Sequence, residues 1–305
     1  MKKRMIFFIL VTFLIVSAVN PVFASSEGRN EFLVEKDEMI PLPIDPLSDE
    51  EIKLQIDAIS NDFNKNILPK LDKKQALAIA YEVMNIQNSS HAIILNDYDE
   101  YLNELRKGNF IEGILDVDEG LSALEIFAVG VTHANEARDA ALDKYPNDVM
   151  LRDAYRHFAW NYLSTQDIGQ YKTRTATINH EWGIILLDPI TNYYTNQYNY
   201  YVANNDPDAA SKAFADAVLY IPILKYQLVI LCQNSFSFFS SLFDESNIMD
   251  LHNNCYGRAY AVTHPDEGYD TSFQLAVQND ELILDENDVG NSEYQFVWQN
   301  EWYTY

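Results

Sequence analysis

The chain has 305 residues, 48% of them hydrophobic, with 46 acidic side chains against 21 basic ones and a formal net charge of −25. That is enough apolar material for a full core, and so acidic a surface repels nucleic acid and anionic lipid, leaving neutral or cationic ligands, divalent metals and small substrates as easier partners. Acidity of this kind also keeps an exported protein in solution, so it names no ligand by itself.

Lys2, Lys3 and Arg4 precede an apolar run from Met5 to Val19 that only Thr12 and Ser17 interrupt. A charged start, a short apolar run and the small-x-small pattern Val22-Phe23-Ala24 read as a secretion signal over 1–24, cut after Ala24. The run is shorter than the roughly 20 apolar residues a bilayer helix needs. No later segment reads as a membrane span, so the product is expected to be secreted and without a stable membrane anchor. Residues 25–47 are polar and carry Pro41, Pro43 and Pro46, the composition of an extended lead-in.

An N-terminal helical region is expected over 48–121. Ser48 with Glu51 three residues on is a capped start, and Ile52, Ile56, Ile59 and Phe63 follow at helical spacing. A second helix is predicted from Lys73 to Ile86 on the stripe Ala76, Ile79, Ala80, Val83, and a short one over Tyr98–Arg106 that Gly108 stops. Residues 122–264 form the expected motif-bearing domain. Helices are predicted over Ser122–Lys144, 148–164 and Tyr171–Leu186, the last ended by Asp188-Pro189, with Gly169 marking a turn. Asn192–Asn205, rich in Tyr and Asn, reads as a loop or irregular aromatic surface. Asp206-Pro207-Asp208 opens a helix toward Tyr220, an apolar stretch Ile221–Leu231 has Pro222 in its first turn, and Asn247–Ala261 is helical again. Residues 265–305 read as an acidic aromatic tail, with Glu281–Asp285 extended. The expected fold class is all-α: a bundle-like helical domain with an N-terminal helical extension and an irregular acidic C-terminal tail.

Three of these helices carry polar residues where a buried stripe belongs. Asp153, Arg156, His157, Trp160 and Asn161 fall at i, i+3, i+4, i+7 and i+8, so they share one helix face. Thr177, His180 and Glu181 repeat the first part of that spacing, and Asp250, Asn253, Asn254, Gly257 and Arg258 repeat all of it. Gly257 costs about 1 kcal/mol inside a helix, which implies the close approach of another helix or a ligand. If the three faces turn inward together, their groups must satisfy one another, a metal or a bound ligand, because each would otherwise cost several kcal/mol.

Neutral imidazole with carboxylate is a donor set that suits zinc and other first-row divalent ions. His157, His180 and Asp250 are the expected metal ligands. Glu181 is a fourth ligand or the base that deprotonates a bound water. Arg156 and Arg258 are expected to steady an anionic group of the substrate or transition state. Asp153, Trp160, Asn253 and Asn254 are assigned to ligand binding. Each of these residues alone is more simply a satisfied structural pair; the coincidence of three such faces is what points to a site.

Other motifs are absent or incomplete. His180-Glu181 lacks the second His of a zincin helix, and no Gly-x-Ser-x-Gly elbow or Cys-x-x-Cys pair occurs. Asp285–Gly290 begins like a calcium loop but places Val289 at a ligand position, and so reads as a solvated acidic loop. Cys232 and Cys255 are compatible with one disulfide or with two separate buried thiols.

The order Arg156-His157-x-x-Trp160, His180-Glu181 and Asp250-Leu251-His252-Asn253-Asn254-x-x-Gly257-Arg258 resembles a functionally uncharacterised bacterial domain family with the signature RHxxW, HE and DLHNNxxGR. The likeness covers Ser122 to Ala261. It implies that Arg156, His157, Trp160, His180, Glu181, Asp250, Asn253, Asn254, Gly257 and Arg258 are the functional positions, and that such domains occur in exported proteins and at the ends of larger secreted or toxin-like chains. It supplies no reaction, and the Tyr- and Asn-rich insertion between the second and third motifs departs from the pattern. On residue chemistry, the expected function is metal-dependent hydrolysis of an ester or phosphodiester bond in a small-molecule, lipid or cell-envelope substrate. The rival is a non-catalytic binding or interaction module with a polar pocket.

Overall fold

The computed structural model describes residues 73–88 and 97–304. The secretion signal, the lead-in and the helix expected from Ser48 lie outside the described residues. Among the described residues every regular element is helical, and the expected all-α class is what the chain adopts.

Helix α1 (Lys73–Asn88) buries Ala76, Ile79, Ala80 and Val83, the stripe read from the spacing. Asp97 caps α2 (Tyr98–Leu105) by accepting from the Glu100 amide. Gly108 does not end the helical region. It opens α3 (Gly108–Asp118), a helix the sequence reading missed. The helices approach closely there: a Cβ on Gly183 would lie 2.9 Å from the Gly108 carbonyl oxygen, so the missing side chain of Gly183 lets α3 lie directly on a later helix.

The expected helix Ser122–Lys144 is present in three joined parts: α4 (Ala123–Phe127), a π-helical turn over Ala128–His133, and α5 (Ala134–Lys144). Ser122 and Glu125 form a reciprocal capping box at its start. α6 (Val149–Ile168) is capped by Asp148, whose side chain accepts from Leu151 N at 3.1 Å. Gly169, at φ 84°, turns the chain into α7 (Gln170–Ile185).

Two loop expectations are corrected next. Asp188-Pro189 does not break the chain, because both fall in the first turn of α8 (Leu187–Ala203), where a missing amide proton is tolerated. The Tyr- and Asn-rich segment is therefore helical; it pairs its rings instead of following an aliphatic stripe, with Tyr98 against Tyr194 and Tyr198 at 5.2 and 4.5 Å, and Tyr193 on Tyr220 at 4.3 Å. α9 (Ala209–Asn234) runs unbroken through Pro222. Joined in this way, α9 is the one described helix long and apolar enough to cross a membrane, contrary to expectation; yet it packs against α8, α1 and α3, and its Lys225 is fully buried against Glu119 and Asn179.

α10 (Phe236–Leu242) leads to α11 (Glu245–Thr263), which Asp244 and Asn247 cap reciprocally. The irregular tail is a further correction: residues 265–305 carry α12 (Gly268–Gln278) and α13 (Asn291–Asn300). The stretch 281–285 carries no helix and leads into a single tight turn over Glu286–Asp288. Both new helices fold back, α12 onto α6 and α11, α13 onto α11. α6, α7 and α11 pack on one another, with α3 against α7, so the three polar faces meet in the interior. Gly257 makes this possible: a Cβ there would come 2.4 Å from the Phe158 carbonyl oxygen on α6.

Candidate functional site

On α6, His157 is almost fully buried and Asn161 entirely so, while Asp153, one turn before His157, and the adjacent Arg156 reach the surface. The His157 ring lies between two kinds of neighbour. Its Nδ1 donates to Asn254 Oδ1 on α11 at 3.1 Å. The same Asn254 oxygen accepts from Asn161 Nδ2, so two donors fix the amide's orientation. Burial, then the nearby Arg156 guanidinium and the His180 ring, hold the His157 pKa well below its ordinary value, and the imidazole is neutral. With the proton on Nδ1, Nε2 is an acceptor.

That acceptor faces another. Asp250 Oδ1 lies 3.3 Å from His157 Nε2, is buried, and accepts no hydrogen bond. Asp153 Oδ1 is 4.0 Å from the same nitrogen. One ligand atom from each of Asp153, His157 and Asp250 lies within 4.8 Å of the others. Burial, then the Glu181 and Asp153 carboxylates, raise the Asp250 carboxyl well above its usual range. Two oxygens and a lone pair turned on one point form a centre that gains from a cation. Arg156 supplies one: its Nη2 is 2.5 Å from Asp153 Oδ1 and 2.7 Å from His157 Nε2.

His180 takes a different place from the one expected. Its Nδ1 hydrogen-bonds Glu112 Oε2 at 3.0 Å, and its ring centroid is 6.3 Å from that of His157. Burial opposes its charge, but Glu112, and then Glu181, outweigh burial and push its pKa up to about 9. Asp153 takes the place expected for His180 on geometry: one ligand atom each of Asp153, His157 and Asp250 lies within 4.8 Å of the others, whereas the His180 Nδ1 is taken by Glu112. Glu181 is fully buried and accepts from Asn247 Nδ2 at 2.9 Å through Oε2, while its Oε1 has no partner. Its carboxyl is raised by burial, against the pull of His180.

Trp160 stands edge-on to His180 at 5.2 Å and to His157 at 6.0 Å. The π-helical turn positions it, because its indole N–H donates to the Val129 carbonyl at 2.8 Å; local π turns recur at functional sites. Asn254 Nδ2 is buried without a partner and is the remaining donor of the cluster.

Two expected site residues are engaged elsewhere. Asn253 bonds the backbone of Ile283 in both directions, donating to its carbonyl at 2.8 Å and accepting from its amide at 3.1 Å, which fixes the non-helical stretch after α12. Arg258 is buried on Asn161, Thr177 and Glu301, donating to Asn161 Oδ1 at 2.9 Å. A continuous buried chain thus runs from His157 through Asn254, Asn161 and Arg258 to Glu301. Cys232 and Cys255 are free thiols, and burial pushes both above the ordinary thiol range.

The residues the sequence reading missed are Glu112 and Glu301. Glu112, Asp116 and Glu119 recur at i, i+4 and i+7, a polar helical face of the kind read elsewhere in the chain; treating Gly108 as a stop hid it. Glu301 follows α13 directly and carried no periodic signal. No family model, no curated protein and no solved structure matches this chain, so the resemblance read from the three motifs rests on those residues alone.

Proposed function

We propose that the protein is an exported, divalent-metal-dependent hydrolase that cleaves an ester or phosphodiester bond, with Asp153, His157 and Asp250 holding the metal. The observation that carries this reading is the clustering of one ligand atom each from Asp153, His157 and Asp250 within 4.8 Å of one another, with Asp250 Oδ1 buried and 3.3 Å from His157 Nε2. Two ligands each about 2.0–2.2 Å from zinc stand roughly 3–4 Å apart, so this separation suits a shared cation. The metal would supply Lewis acidity and an activated water.

The chain's own groups complete the reaction. Glu181 Oε1 takes the proton of the attacking water as its oxygen bonds to the carbonyl carbon or phosphorus. The bond to the leaving oxygen breaks, and that oxygen takes a proton from the His180 ring, which Glu112 orients through Nδ1. Trp160 excludes water from one side. Zinc is the favoured metal for an imidazole and carboxylate set. The substrate is a small or envelope-derived molecule, reached after export; mass determination of the N-terminus of the protein recovered from medium tests cleavage after Ala24.

A second reading, a non-catalytic binding module with a polar pocket, is favoured by the Arg156 guanidinium, which already bridges Asp153 and His157. One experiment separates the two. Zinc content is measured after equilibration and dialysis of the wild type, His157→Ala and Asp250→Asn, followed by assays on bis-para-nitrophenyl phosphate and para-nitrophenyl butyrate. Stoichiometric zinc and turnover in the wild type, both lost in the variants, support the hydrolase. Metal-free, inactive wild type that folds normally overturns it in favour of the binding module.

A further inference from the structure

The two nearest acceptors of the Arg156 guanidinium are two of the three atoms assigned to the metal. Nη2 donates to His157 Nε2 at 2.7 Å and pairs with Asp153 Oδ1 at 2.5 Å. A lone pair on an imidazole nitrogen accepts one partner. A metal ion and a guanidinium hydrogen therefore cannot share Nε2, and two cations held against the same carboxylate oxygen repel each other strongly.

We propose that Arg156 is the resident counter-ion of this centre, that a divalent cation binds only by displacing it, and that the released guanidinium then receives an anionic phosphate group of the substrate. The inference rests on the metal-centre reading above and narrows it to phosphate esters. Three features support it. The Arg156 side chain is 40% exposed, so it can leave the centre without unpacking the core. Its hold is incomplete, because Nε is buried without a hydrogen-bond partner. Its planar fork matches two phosphate oxygens at once, a geometry a neutral carboxylic ester does not offer.

Charge balance runs the same way. Asp153 and Asp250 both bring a carboxylate oxygen to within 4.0 Å of His157 Nε2, and the Arg156 guanidinium offsets them while it is seated. A doubly charged ion taking that place supplies more positive charge at the acceptors and frees a further cation at the rim. Metal loading thereby turns a self-neutralised cluster into a receptor for an anion, so a phosphate ligand and the metal bind with positive coupling.

The test is calorimetric titration of zinc into the full chain as wild type and Arg156→Met, with Arg156→Gln as a second uncharged variant and thermal melts to confirm folding. Phenylphosphonate is then titrated into each zinc-loaded protein. Removing an internal, charge-assisted competitor is expected to tighten zinc binding by roughly ten- to hundredfold, and to weaken phenylphosphonate binding to the loaded protein by about tenfold or more. Unchanged or weaker zinc affinity in both variants overturns the displacement, while wild-type zinc binding keeps the metal centre. Equal phenylphosphonate affinity in loaded wild type and variants overturns the phosphate-receiving role. Absence of zinc binding in wild type and variants alike overturns the metal-centre reading, and this inference falls with it.

Discussion

Gly257 faces Phe158 so closely that a Cβ on it would lie 2.4 Å from the Phe158 carbonyl oxygen and 3.0 Å from Asn161 Cβ. The glycine's cost within α11 is the condition for seating α11 on α6, and that seating brings Asn254 and Asp250 to His157. Gly257→Ala is expected to destabilise the protein by about 2–3 kcal/mol despite alanine's helix preference, because the obstructing atom is backbone and cannot turn aside. A melting curve reads this as a fall of roughly 4–12 °C; an unchanged or higher midpoint would mean the two helices separate at no cost.

Breaking the buried pair Arg258–Glu301 is expected to cost about 3–5 kcal/mol when Glu301 is neutralised, since Arg258 then stays buried without a carboxylate, and less when Arg258 is removed, because Arg174 Nε still lies 3.4 Å from Glu301 Oε2. Arg258→Met and Glu301→Gln are each expected to lower stability in denaturant titrations, and the double variant to recover part of the loss. Strict additivity of the two changes would show that the groups do not depend on each other.

Glu112→Gln is expected to drop the His180 pKa from about 9 to or below the ordinary 6.5, because burial then acts with less opposition. A raised histidine pKa stabilises the folded state fully below the unfolded value and loses that contribution as pH rises through the folded one. The stability gap between wild type and Glu112→Gln is therefore expected to be widest below the variant's own His180 pKa and to shrink as pH climbs from there to about 9. Proton NMR of the ring carbons gives the pKa directly, and a wild-type value retained in Glu112→Gln would remove Glu112 from this role.

Asn253→Ala is expected to leave zinc and phenylphosphonate affinities unchanged while accelerating amide hydrogen exchange at Ile283, whose N–H loses its acceptor. A loss of ligand affinity without faster exchange would return Asn253 to the binding site.

The three inward polar faces were legible because periodicity is local: one helix of correct phase places Asp153, His157 and Asn161 together whatever surrounds it. Partner choice is not local. The spacing put His157, His180 and Asp250 on polar faces that meet if all three turn inward; it did not show that Glu112 would capture His180, because that depends on the Gly108–Gly183 approach between helices far apart in sequence. The role given to Arg258 failed for the same reason, its counter-ion lying 43 positions downstream. Aromatic pairing hid α8 and the helices beyond residue 265: Tyr193 on Tyr220 or Trp298 against Phe236 stabilises a helix through its neighbour and leaves no aliphatic stripe to read.

Residues 300–304 also fasten the interior. The Asn300 and Tyr303 carbonyls accept from Arg174, the Trp302 carbonyl from the Trp182 indole, and Thr304 donates to Glu119, so this short segment reaches both α7 and α3. Glu301, held in the same segment, neutralises Arg258, whose orientation of Asn161 sets the Asn254 amide and so decides which nitrogen of His157 carries its proton. Truncation before Asn300 would therefore alter acid–base chemistry at a ring that the lost residues never touch, and a shortened protein could keep its helices while presenting the wrong imidazole tautomer.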